Sequence, residues 1–360
     1  MDFFDQKPTV ERPNTSRHLS DPWLATSAPQ KAIRRGNEAV ALAATSFLLA
    51  GHGDRLWRRL IVIALEDIGI GDLDAVRDVL LVSTRKSWRA EHGGDWAVAA
   101  SLVQRLCAAP KCRDACELLV AADLHPRLKR QRTAFLDLSQ HQLSDIVADP
   151  ARHLADRRLA AWLVAGTKRF PAYSLPEVAG SFPALLDVYR HLGASEQVLE
   201  VARLGSTRTQ EGHPLTFPLV WLAASAGPVT VSPEKLSEPA LIRGWPNFAF
   251  DMHTRLGRRA LTLFAERCTI LEVLMDRHLP ADAHGDFTGH LVFRVEGHVV
   301  DRRLAYPDAG AILRDAEIAH LTYSGFPETL VRDALEVAHD HLALLNLCRI
   351  EAAGANHDRG

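Results

Sequence analysis

The chain has 360 residues, room for two or three domains, and its 47% hydrophobic and 24% charged residues are the balance of a soluble globular protein. The formal net charge of −2 excludes a global positive field toward nucleic acid or anionic membrane, so any nucleic-acid surface is expected as a local patch. Five cysteines (Cys107, Cys112, Cys116, Cys268 and Cys348) with no Cys-x-x-Cys pair exclude a secreted disulfide scaffold and give a zinc site no start, and a cytoplasmic setting is expected.

Residues 1–28 are polar and proline-punctuated, and read as a flexible lead-in. They begin Met1-Asp2-Phe3-Phe4-Asp5, without the basic start and apolar core of a signal peptide. Phe3 and Phe4 read either as a docking peptide or as a frayed terminus. No uncharged apolar stretch is long enough to span a bilayer, and no membrane association is expected. Helical patterning is expected from Lys31, through Ala39–Ala44 to Leu49, and Gly51-His52-Gly53 closes it. A second helix is expected over about 54–68, with Leu56, Leu60, Ile63 and Ala64 on one face and Arg55, Arg58 and Arg59 on others. Asp72 is a cap for a third helix to about residue 90, and Asp95 for a fourth to about Cys107. Pro110 breaks that helix, and a fifth is expected over about 111–122, with Cys112 and Cys116 on one face.

Pro126 to Arg132 form a basic connector. Helices are expected at about 140–148, 151–166 and 182–204, then a loop over 205–214. The apolar segment 215–226 fits helix or strand. After Gly227 come a short strand at Val229–Val231, a turn region over 239–246 and one long helix over about 251–278. Leu291 to Val300 alternate like a small hairpin, and helices at about 308–322 and 327–351 end the chain. No internal repeat of fixed period is present.

Three motifs stand in order: Lys31-Ala32-Ile33-Arg34-Arg35, then Arg58-Arg59-Leu60 with Glu66-Asp67-Ile68-Gly69, then Ala109-Pro110-Lys111. Over residues 31–122 they resemble the C-terminal helical region of the RarA/MgsA family of AAA+ ATPases, which includes the Werner-helicase-interacting proteins. Cys112-Arg113 departs from that family's Ser-Asn. The resemblance implies a helical, self-associating, clamp-loader-collar-like module linked to replication forks, recombination or single-stranded DNA. It does not imply ATP hydrolysis, since no Gly-x-x-x-x-Gly-Lys-Ser/Thr loop occurs in the sequence. Glu66 and Asp67 fall at a helix C-terminus, which disfavours negative charge, so compensation is expected from Arg34, Arg35, Arg58 or Arg59.

The densest polar-aromatic stretch runs from Trp245 to Arg259. One reading makes it a phosphate or nucleic-acid contact at a helix start, through Asp251, His253, Thr254, Arg255, Arg258 and Arg259, with Gly257 allowing close approach. The other makes Asp251 an N-cap, the arginines solvated and Gly257 a packing residue. Arg127, Lys129, Arg130 and Arg132 read as a DNA contact or a solvated linker, with no aromatic residues between them to stack bases. On a helix, Glu336 and His339 face together but His339 and His341 do not, and no second Glu-x-x-His copy is present, so no metal is assigned.

A mainly α protein is therefore expected. A flexible segment (1–28) precedes a collar-like bundle (29–125), a helical middle section (126–226) and an α-rich C-terminal domain with a small β hairpin (227–360). The expected function is a non-enzymatic accessory of DNA replication or recombination, without cofactor. It self-associates as a homo-oligomer and contacts DNA, or a separate replication or recombination protein. The alternatives are a protein–protein adaptor, marked by a large apolar patch, and an enzyme for a phosphorylated or nucleotide substrate. The enzyme needs a pocket where Asp251, His253 and Arg255 meet the last helices.

Overall fold

The Asp21 carboxylate accepts hydrogen bonds from the backbone N–H groups of Trp23 (2.8 Å) and Leu24 (3.3 Å), and Pro22 follows at the first helical position. Helix α1 (Pro22–Arg34) therefore starts inside the stretch expected to be flexible. This computed structural model describes residues 10–13, 21–236 and 238–354. The Phe3–Phe4 pair and most of the expected lead-in lie outside the described residues.

As expected, the protein is mainly helical. Helices α2 (Glu38–Gly51) and α3 (Gly53–Ile63) follow, and α3 continues into a π-turn, Ala64–Ile68. Leu56, Leu60, Ile63 and Ala64 are all fully buried, as their spacing predicts. Asp72 caps α4 (Leu73–Val82) through the Ala75 N–H, but α4 stops at Val82 and a separate α5 (Lys86–Glu91) follows. Helix α6 (Gly94–Ala108) starts before Asp95, whose carboxylate pairs with Arg89 (2.7 Å) instead of capping. After Pro110 the chain stays extended through Cys112, so α7 (Asp114–Leu124) carries Cys116 but not Cys112.

The basic connector is itself helical, with α8 at Lys129–Ala134. Helices α9 (Gln140–Ala148) and α10 (Leu154–Ala165) match expectation. The helix expected over 182–204 is two, α11 (Phe182–His191) and α12 (Glu196–Arg208). Gly193, at φ 88°, ends the first, and the Ser195 hydroxyl accepts from Val198 N–H to start the second. The expected loop over 205–214 shrinks, because α12 runs to Arg208 and α13 (His213–Ser225) begins one residue before Pro214.

Strand β1 (Thr230–Pro233) forms where a short strand is expected. Its partner lies about 70 residues on: β4 (Arg302–Ala305) is antiparallel, with Thr230 opposite Ala305. A two-residue hairpin joins β2 (Leu241–Ile242) to β3 (Trp245–Pro246), and Arg243 and Gly244 both adopt positive φ at its turn. The alternating segment 291–300 is not a hairpin. It is the end of α16 (His284–Val292) and a second π-turn, Phe293–Gly297. Phe287 and Leu291, one helical turn apart, fill the core, and that burial outweighs β propensity. The long helix expected over 251–278 breaks at Cys268 into α14 (Arg255–Arg267) and α15 (Thr269–His278), which both line one core. The chain ends in α17 (Ala309–Thr322), α18 (Val331–Asp340) and α19 (Leu342–Gly354).

Two apolar cores organise these elements. One gathers α1–α4, α6, α7, α9–α13, the 242–250 segment and the first turn of α17; the other gathers α14–α16, α18, α19 and the end of α17. Helix α1 packs on α2, α3 and α6, and also on the 247–249 turn of the C-terminal half. Among the described residues, no helix is long and apolar enough to cross a membrane.

Candidate functional site

The π-turn after α3 turns Glu66 and Asp67 inward, and Asp67 is 0% exposed. Arg34 of α1 answers both: its Nε donates to Asp67 (2.6 Å), Nη2 to Glu66 (2.9 Å) and Nη1 to the Gly297 carbonyl (2.6 Å). Arg113 supplies a second guanidinium, pairing with Asp67 and with Glu66 (3.0 Å). Of the four arginines expected to compensate the acidic pair, only Arg34 bonds it. Arg35 donates to the Glu296 carbonyl, Arg58 to the Asp54 carbonyl and Arg59 to Gln30 Oε1 (3.0 Å). Burial works against the Glu66 charge, but Arg113 and Arg34 outweigh it and hold the carboxyl at about 2.

The Ala109–Arg113 stretch packs directly on this turn. Cys112 N–H donates to the Asp67 carbonyl (3.0 Å), and Gly69, at φ 53°, lies against the Cys112 carbonyl. Gly71 lies against the Pro110 carbonyl. Lys111 is fully buried and donates to Cys107 O (2.9 Å), Ala109 O (2.6 Å) and Asp301 Oδ1 (3.0 Å).

The second π-turn faces the first. Its Arg294 reaches Glu117 and the Ala316 carbonyl (3.0 Å), and its Glu296 takes Arg349 of α19 and Asn247 (3.2 Å). The Phe293 ring lies under the guanidinium carbons of Arg34 (5.7 Å), Arg113 (5.6 Å) and Arg294 (5.6 Å).

Between α1, the second π-turn and the Asp251–Thr254 loop is a cleft of about 200 Å³. Asp251 does not cap α14; the Thr254 hydroxyl does, accepting from Gly257 N–H (3.0 Å). Asp251 instead pairs with Lys31 and accepts from the Ser27 hydroxyl (2.7 Å). Lys31 also donates to the Phe248 carbonyl (2.7 Å). Burial opposes the Asp251 charge, yet Lys31 and Ser27 hold it at about 2. His253 sits exposed at the cleft mouth, and Arg349 reaches the cleft from the last helix. Arg255 does not line it: Arg255, Arg258 and Arg259 are exposed on the first turns of α14. Gly257 is occupied by the Asp251 backbone, which leaves no room there for a phosphate.

The connector cations are partly committed elsewhere. Arg127 pairs with Asp156 (3.1 Å), and Arg132 donates to the carbonyls of Ala122 and His125 (3.2 Å each). Lys129 and Arg130 are exposed. Among the described residues no hydrogen bond or ion pair joins this segment to the α14 arginines, and no three His, Cys, Asp or Glu side chains converge as metal ligands.

A cationic groove that sequence reasoning missed lies beside the cleft. Arg55, Arg58 and Arg59 of α3 line an open groove of about 500 Å³ with Val62, Leu119 and His213. None of the three has a carboxylate partner among the described residues, although Glu66 and Glu211 also border the groove. Arg55 lies 4.8 Å over the ring of Trp23, an indole 59% exposed. One signal was available: Arg55, Arg58 and Arg59 crowd three cations within five residues of one helix, with Asp54 the one acidic residue in its first turn. The aromatic partner was hidden in the stretch read as a lead-in.

No family model, curated protein or solved structure matches this chain.

Proposed function

We propose that the protein is a non-enzymatic nucleic-acid-binding accessory of DNA replication or recombination that holds a single strand along the α3 groove. The observation that carries this reading is the set Arg55, Arg58 and Arg59, free of carboxylate partners, beside the exposed Trp23. Guanidinium groups without a carboxylate partner neutralise phosphates, and an exposed indole stacks an unpaired base. The chain carries no net positive charge, so the pull is local. The RarA/MgsA resemblance supports the DNA-maintenance setting and self-association through residues 31–122. Lys129, Arg130 and the α14 arginines give further exposed cations for a longer strand.

The test is fluorescence anisotropy of a labelled oligothymidylate at low salt, with light scattering for the oligomeric state. R55Q/R58Q is expected to weaken binding by at least about tenfold, or 1.4 kcal/mol. If R255E/R258E abolishes binding and R55Q/R58Q leaves it intact, the strand lies on α14 and the groove assignment falls. A monomer in every condition removes the self-association part.

A further inference from the structure

We infer that the cleft between α1 and the second π-turn receives one unstacked nucleotide of the strand lying in the α3 groove, its base inside the cleft and its phosphate at Arg59. This rests on the groove reading and goes a step beyond it. Cleft and groove are adjoining spaces, because Arg59 and Glu66 form walls of both. A strand in the groove therefore passes the cleft mouth.

Size selects the guest. The cleft is about 200 Å³. That suits one base and falls below the ~300 Å³ at which pockets for drug-sized ligands begin.

Charge places it. Inside the cleft the ionised groups cancel: Lys31 with Asp251, Arg34 with Glu66, Arg349 with Glu296. A neutral, polar, planar base meets no uncompensated charge there, whereas a fully ionised guest would disturb three ion pairs. The cation left without a carboxylate partner among the described residues is Arg59, on the groove side, and the exposed His253 imidazole stands beside it at the mouth as a hydrogen-bonding group. The phosphate belongs with them. Trp23, Met252 and Val292 give the cleft apolar surface for the base.

The experiment titrates the full chain by calorimetry with thymidine 5′-monophosphate, with thymidine and inorganic phosphate as separate arms, beside the oligothymidylate assay. Saturable one-to-one binding of the monophosphate, tighter than about 1 mM and tighter than either fragment, is expected. His253 is exposed, so H253E should fold. It should weaken the monophosphate at least about tenfold and the oligonucleotide less than threefold. Arg58 lines the groove and not the cleft, so R58E should do the reverse. Inorganic phosphate binding as tightly as the nucleotide overturns the inference in favour of a bare anion site. Oligonucleotide binding without monophosphate binding overturns it and leaves the groove reading standing. If neither binds, both readings fall.

Discussion

Arg113 and Asp67 are both completely buried and are paired with each other across 46 residues of sequence, the first at the start of α7 and the second in the π-turn after α3. The pair ties the two conspicuous motif blocks together where water cannot screen it. Removing one partner leaves a buried charge short of a counterion, which costs about 3–5 kcal/mol. R113M should lower the urea-unfolding free energy by that amount. R58M, on the exposed side of α3, should change it by less than about 0.5 kcal/mol.

Gly69 offers a backbone test of the same junction. Its φ of 53° is open to glycine, and an added Cβ would run into the Cys112 carbonyl. G69A should cost about 1–3 kcal/mol. Thermal unfolding reads this directly, and an unchanged midpoint would mean that the 66–69 turn and the 110–113 stretch do not meet as described.

Lys31 and Asp251 join α1 to the loop before α14, far apart in sequence. Burial lowers the Lys31 pKa, so its charge depends on this partner. In a double-mutant cycle, K31M and D251L should each destabilise, and the pair should be less harmful than their sum by about 0.5–3 kcal/mol. Simple additivity would remove the link.

Salt dependence tests the groove quantitatively. Three phosphates neutralised by Arg55, Arg58 and Arg59 predict a slope of log K against log salt of about −2 for a single strand. R58Q should flatten it to about −1.4. A slope unaffected by the substitution would place the phosphates elsewhere.

The histidine cluster predicts acid sensitivity. His290 stacks on His320 at 4.9 Å, next to Tyr323 (5.3 Å) and close to Arg294, which donates to His320 (3.0 Å). Burial, then the Arg294 charge, pushes His290 down to about 4, and burial pushes His298 to about 3. Between these values and the unfolded value near 6.5 the unfolded chain binds more protons, so stability falls as pH drops through that window. Asp114, raised to about 6 by burial, acts oppositely over part of the range, so the comparison is made with a variant. H290Q should flatten the wild-type decline in melting temperature between pH 6.5 and 4. An identical pH profile would exclude His290 as its source.

Local chemistry was legible in the sequence. The spacing of Leu56, Leu60, Ile63 and Ala64, the cap at Asp72 and the break at Pro110 each depend on residues within a turn or two, and each has the expected outcome. The failures share one cause, a distant partner that captures a residue. Asp251 has the chemistry of an N-cap, but Lys31 and Ser27, more than two hundred residues away, take its carboxylate and leave the cap to Thr254. Leu291–Val300 alternate like a strand, but the second core claims Phe287 and Leu291 at helical spacing, and β1 pairs with Arg302–Ala305 instead.

By itself the sequence determined the mainly helical class, many of the helix positions and the need to neutralise Glu66 and Asp67, because periodicity, capping and the helix dipole act over a few residues. Only the tertiary structure decided which arginines do so. It chose Arg34 and Arg113 and left Arg55, Arg58 and Arg59 open beside Trp23, since an ion pair is set by distance through space and by exclusion of water, neither of which is written along the chain.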